Sequence, residues 1–252
     1  MCPLEGTTTP SASPFGALTT PTLLSRPPSR PPGRGGSCNW LRLRIRSPAM
    51  AYRVALLVSG ASGMLLPRHV LGRLAANPLI ERVHLVVSAG ASQVLRHELG
   101  VEKTGAEDLV EAAGLSEASR AKVIVHRDGE LDAPIASGSY RLTGTAVLPC
   151  SAGTLGALAT GSARTLVHRA GAVALKEGIP LVLGFRETPY SLVHVENMRR
   201  LLYAGAVLLP PVPAFYIGGE DIGRFLDHYT LRLLDRFGIR EAGEPGLRWR
   251  DD

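Results

Sequence analysis

Cysteine is scarce in this chain of 252 residues. Cys2, Cys38 and Cys150 are too few and too scattered for a disulfide framework or a metal cluster, which fits a reducing compartment. Long apolar runs are missing as well: no stretch reaches the roughly 18 consecutive apolar residues that read as a spanning helix. Acid is nearly absent from residues 1–49, which hold six arginines (Arg26, Arg30, Arg34, Arg42, Arg44 and Arg46) against the one acid Glu5. That segment carries a local +5 of the chain's formal +6, so the remainder is close to neutral. The calculated pI of 9.6 therefore does not signal a nucleic-acid-binding surface on the folded part. No internal repeat is visible.

The same first 49 residues are rich in Pro, Ser, Thr, Gly and Arg and lack apolar periodicity, so they are expected to be a disordered extension. Their composition suits an organellar transit segment; a start at Met50, which leads straight into the first strand, is the other reading. The expected domain covers residues 50–240, with 241–252 a C-terminal tail. The expected location is cytoplasmic, or an organellar matrix if residues 1–49 are a transit segment.

From Arg53 onward the pattern becomes regular. Apolar strands are expected at Arg53–Ser59, Val83–Ser88, Lys122–His126, Thr145–Pro149, Leu181–Leu183 and Ala206–Leu209. Helical stretches fall between them, including Leu166–Glu177, which stops at Gly178 with Pro180 beyond. Residues 105–120 read as a polar helical excursion, and Glu220–Phe237 as a final amphipathic helix. Strands alternating with helices predict an α/β fold, a doubly wound, Rossmann- or flavodoxin-like parallel sheet in a single domain.

The chemistry gathers where strands end. Ligands of open α/β sheets sit outside the carboxyl ends of the strands. Gly60-Ala61-Ser62-Gly63, Ser88-Ala89-Gly90 and Ser151-Ala152-Gly153-Thr154 are small polar loops that run into helices, where backbone amides favour an anion. The first is not G-x-G-x-x-G and has no ribose-reading acid about 20 residues on, so a phosphate-bearing ligand such as FMN fits better than NAD. The Leu181 strand delivers Arg186 and Glu187 to its end, either a solvated pair or anion binding beside acid/base chemistry. Arg169 and Lys176, seven apart on one helix, flank its apolar stripe as a solvated basic edge or as charges for a phosphate or a neighbouring subunit. Three prolines in Pro210–Pro213 stiffen the loop before Tyr216. On spacing alone Glu98 is a surface acid, and Cys150 is a small buried residue rather than a nucleophile.

These residues together resemble the flavin prenyltransferases (UbiX-like), within the homo-oligomeric flavin-containing Cys decarboxylases. The matching pieces are V-S-G-A-S-G at 58–63, A-S-G-S at 136–139, L-P-C-S-A-G-T-L at 148–155, R-A-G-A-V-A-L-K-E at 169–177, R-E-T-P at 186–189, E-N-M at 196–198 and P-P-V-P-A-F-Y at 210–216. The resemblance implies an enzyme that joins a dimethylallyl group from dimethylallyl phosphate to reduced FMN, without a metal, for use by a UbiD-type decarboxylase. It implies that Gly60, Ala61, Ser62, Ser88, Ser151, Ala152, Gly153, Thr154 and Arg186 hold FMN. It further implies that Arg169, Lys176, Arg186, Tyr216 and Arg232 cage the donor phosphate, and that Ser62, Glu98 and Glu187 act at the reacting flavin. Glu98 thereby gains a role that spacing alone denied it. Relatives are trimers or dodecamers with the flavin between subunits. This chain departs from the pattern at Leu131, where some relatives carry Trp, and at Leu66-Pro67. A decarboxylase acting directly on an aromatic or peptidyl acid, and a non-enzymatic flavin-binding protein, are the alternatives.

Overall fold

The computed structural model describes residues 51–101, 105–218, 221–241 and 246–249. The readings made for residues 1–49 lie outside them.

Six parallel strands form one sheet: β1 Tyr52–Val58, β2 Ile80–Val87, β3 Val123–Arg127, β4 Gly144–Cys150, β5 Leu181–Phe185 and β6 Val207–Leu208, in the spatial order β3-β2-β1-β4-β5-β6. This is the doubly wound order, with its switch point between β1 and β4. Every residue of β4 and β5 is buried, as a sheet covered on both faces requires.

Among the described residues eight α-helices form: α1 Leu65–Ala76, α2 Ala89–Leu99, α3 Ala106–Ala112, α4 Glu117–Arg120, α5 Ala152–Thr160, α6 Leu166–Glu177, α7 Leu192–Tyr203 and α8 Ile222–Phe237. Side chains alternate along β1, and two cores result. Val54, Leu56 and Val58 pack with residues of α1, α2, α3 and α8. Ala55 and Leu57 pack on the other face with residues of α5, α6 and α7. The division sets which functional residues can meet within one chain.

α6 has the bounds the sequence predicts, because Leu166, Val167, Ala170, Val173 and Ala174 form its buried stripe and Gly178 takes a φ of +64° at its end. The predicted excursion at 105–120 is instead two helices, divided at Gly114, and Leu109 and Val110 bury themselves in the core. The expected tail also joins the fold. Leu247 is buried, Arg248 makes a two-pronged ion pair with Asp235 of α8 at 2.9 Å, and Glu241 pairs with Arg73 of α1. Among the described residues no helix is long and apolar enough to cross a membrane.

Candidate active site at the carboxyl edge of the sheet

At the switch point, Ser59 stitches the ends of β1 and β4 together. Its hydroxyl donates to the Pro149 carbonyl at 2.9 Å and accepts from the Ser151 amide at 2.9 Å. The Arg186 amide donates to the Cys150 carbonyl at 3.1 Å, which ties β5 to the same point. Sequence reading passed over Ser59; a serine placed directly after a fully apolar strand was the available signal.

The Gly60–Gly63 loop then crosses to α2. A Cβ on Gly60 would lie 2.8 Å from the Gly90 carbonyl carbon, so the two loops touch backbone to backbone, and only glycine fits. Met64 precedes α1 without a side-chain cap. Glu98, at the far end of α2, supplies one: its carboxylate accepts from the Gly63 amide at 2.9 and 3.0 Å and from the Met64 amide at 2.7 Å. Burial pushes this carboxyl up, but the Met64 and Gly63 amides, the Ser62 hydroxyl and the nearby Arg186 charge outweigh it, and the group is held below the usual carboxylate range. Ser62, Glu98 and Arg186 thus form one cluster.

This changes one expectation. The three helix starts do not offer equivalent anion sites, because a protein carboxylate already takes the amides entering α1. At α2 and α5 the capping serines leave the first amides available. Ser88 accepts from the Ala91 amide at 3.2 Å, and Ser151 accepts from Thr154 at 3.3 Å while donating to its hydroxyl at 3.1 Å. The amides of Ala89, Gly90, Ala152 and Gly153 remain as first-turn donors. A donor set of neutral amides, hydroxyls and one guanidinium, with side-chain-free backbone at Gly60, suits a ligand with a single phosphate and a flat ring, as FMN has. Glu187 follows Arg186, half-buried, and its carboxylate accepts from the Thr188 amide at 3.0 Å.

Four of the five predicted phosphate ligands are divided between the two faces of the sheet. Arg169 and Lys176 are on α6, over one face of the sheet; the Arg169 Nε donates to the Ala136 carbonyl at 3.1 Å, and Lys176 pairs with Glu177. Tyr216 and Arg232 lie with α8 over the opposite face and line a cleft of 260 Å³ with His228, Leu247 and Trp249. The Tyr216 ring meets His228 and Trp249 edge-on, at 5.7 and 5.2 Å between centroids. Arg186 directly follows β5, at the carboxyl edge of the sheet. Cys150 is wholly buried, and burial pushes its thiol up to about 12, so it is no nucleophile.

Residues 44–226 match the flavoprotein family. The flavin prenyltransferase UbiX of Deinococcus radiodurans is 39% identical over 82% of this chain and 97% of its own length. That of Synechocystis is 40% identical over 80% and 97%. Among solved structures, AnUbiX (PadA1) in complex with FMN and dimethylallyl pyrophosphate covers 80% of this chain and 98% of its own, at 35% identity and a TM-score of 0.65. A dodecameric FMN-dependent UbiX-like decarboxylase from Escherichia coli covers 79% and 99%, at 35% identity and a TM-score of 0.67. The chain belongs to the flavoprotein family, and within that class to the UbiX-like flavin prenyltransferases.

Proposed function

We propose that this chain transfers a dimethylallyl group from dimethylallyl phosphate to N5 and C6 of reduced FMN, and that the product, prenyl-FMN, serves a UbiD-type decarboxylase. The observation that carries the reading is the match to curated flavin prenyltransferases over 97% of their length.

Reduced FMN supplies the nucleophilic N5 and C6. The donor's carbon–oxygen bond breaks with its electron pair on the departing phosphate, and Arg169, Lys176, Arg186, Tyr216 and Arg232 are the groups available to stabilise that charge. Closure at C6 takes up a proton at the central carbon of the donor's alkene, as its tertiary carbon bonds to C6, and releases the proton that C6 carried. Glu98 is already committed to the Gly63 and Met64 amides, which favours Glu187 as the acceptor and leaves Glu98 to fix Ser62 and its loop. Burying both substrates against apolar walls keeps water from the allylic carbon.

The phosphate ligands sit on opposite sheet faces, so a complete cage requires the α8 side of one copy to meet the α6 side of another. An assembly of copies, a trimer or a dodecamer, is supported by exposed apolar side chains on α7 and the loop after β6, where Leu192, Tyr203 and Phe215 are 77, 81 and 81% exposed. The cytoplasmic assignment rests on cysteine usage.

Anaerobic incubation with reduced FMN and either dimethylallyl phosphate or its diphosphate, followed by mass spectrometry of the released flavin, tests the reading. A gain of one prenyl unit is expected with the phosphate; unmodified flavin with both donors would overturn it. The Escherichia coli relative is described as a decarboxylase, which favours a second reading, direct decarboxylation. Release of carbon dioxide from an aromatic acid without a second enzyme would select that one.

A further inference from the structure

Strands β2 and β3 and the segment that follows them enclose a line of four polar side chains with no part in the chemistry above. The His84 and His126 rings are 1 and 6% exposed and nearly parallel, with the His84 Nδ1 2.9 Å from the His126 Nε2. The His84 Nε2 lies 2.8 Å from the Tyr140 hydroxyl, and the His126 Nδ1 lies 3.4 Å from a Glu130 carboxylate oxygen.

One end of the line fixes the direction of its first bond. The Arg127 amide and His126 hold Glu130 below the usual carboxylate range, so it is ionised and can only accept. His126 must therefore direct a proton on Nδ1 toward Glu130, while its Nε2 meets the His84 Nδ1 and the His84 Nε2 meets the Tyr140 hydroxyl. Burial, with His126, Arg53 and Arg82 close by, pushes His84 down to about 4. The Arg53 guanidinium also lies 5.8 Å from the Tyr140 ring centre and is itself paired with Glu81. Cations thus face this line from both β1 and β2, and a second positive charge on His84 is disfavoured.

Tyr140 closes a short loop. Its amide donates to the Ser137 carbonyl at 3.2 Å, and the Ser137 and Ser139 hydroxyls are 2.8 Å apart. This loop is where Arg169 and Lys176 come together: Arg169 holds the Ala136 carbonyl, and a Cβ on Gly138 would lie 2.6 Å from the Lys176 ammonium nitrogen. We propose that Glu130, His126, His84 and Tyr140 form a hydrogen-bonded positioning line that fixes the 136–140 loop and, through it, the Arg169–Lys176 half of the donor site. The proposal rests on the donor-phosphate reading of those two cations.

Tyr140→Phe removes the hydroxyl at the end of the line and little else. Hydrogen–deuterium exchange in the peptide covering 137–142 is expected to quicken, while peptides from β4 stay unchanged as the check on folding. The KM for dimethylallyl phosphate should rise roughly two- to tenfold, the span of one lost hydrogen bond, with kcat and FMN affinity unaltered. Glu130→Gln keeps an acceptor for His126 and the Arg127 amide without the charge, so it should give a smaller rise. Unchanged exchange in Tyr140→Phe would overturn the anchor, and quickened exchange with an unchanged KM would overturn its link to the donor site. A wild-type protein that makes no prenyl-FMN would overturn the functional reading instead, with exchange still deciding the anchor.

Discussion

Glu98 and Glu187 have different surroundings, which on the proposed function suits them to different tasks. The folded carboxyl of Glu98 titrates below its unfolded value near 4.5, so what it contributes is complete above that pH and is lost as acid takes the pH down through the folded value. Glu98→Gln at neutral pH mimics the loss. FMN affinity is expected to fall about tenfold in a fluorescence titration, with little further change on acidification. Glu187→Gln should instead leave FMN binding intact and lower prenyl transfer by about a hundredfold or more in single-turnover assays, as removal of a proton acceptor does. Equal damage from both variants would refute the division. In the sequence, Arg186 and Glu187 announce themselves at the end of an apolar strand. Glu98 does not, because the amides it holds lie 35 residues away and no helical spacing points to them.

Glycines separate backbone contacts from side-chain contacts at the level of loops and helices. Gly60→Ala would force the first loop away from α2, and loss of co-purifying FMN from a protein with an unchanged circular dichroism spectrum is expected. Gly171 in α6 is as tight on paper, with a Cβ 2.7 Å from Leu158 Cδ2, but that neighbour is the tip of a flexible side chain. Gly171→Ala also gains up to about 1 kcal/mol of helix propensity, so FMN retention and melting temperature should stay close to wild type. Element bounds were legible where chain chemistry marks them, as at Gly178. They were missed where tertiary pairing overrides it. β2 starts at Ile80 rather than Val83 because Arg82 pairs in register with Arg53 of β1, although Glu81 and Arg82 break the apolar run.

Assembly belongs to the whole molecule. If the donor cage forms between copies, Arg169→Ala and Arg232→Ala proteins, each inactive, should recover activity when unfolded and refolded together. Random mixing restores both arginines at about a quarter of the interfaces. No recovery would place the cage within one chain. The family resemblance supplied the list of proposed cage residues but not their separation, because the face each crossover covers depends on strand order, which spacing does not give. The carboxylate at the start of α1 has one more effect, on a ligand's approach. Of the three helix starts along the edge, one has its amides taken by a carboxylate that Arg186 faces, and two still present bare amides. The anionic end of a flavin mononucleotide is drawn to the two bare starts rather than to the third, so on the proposed function Glu98 would bias the ring toward the Ser62 side before any contact with the ring itself is made.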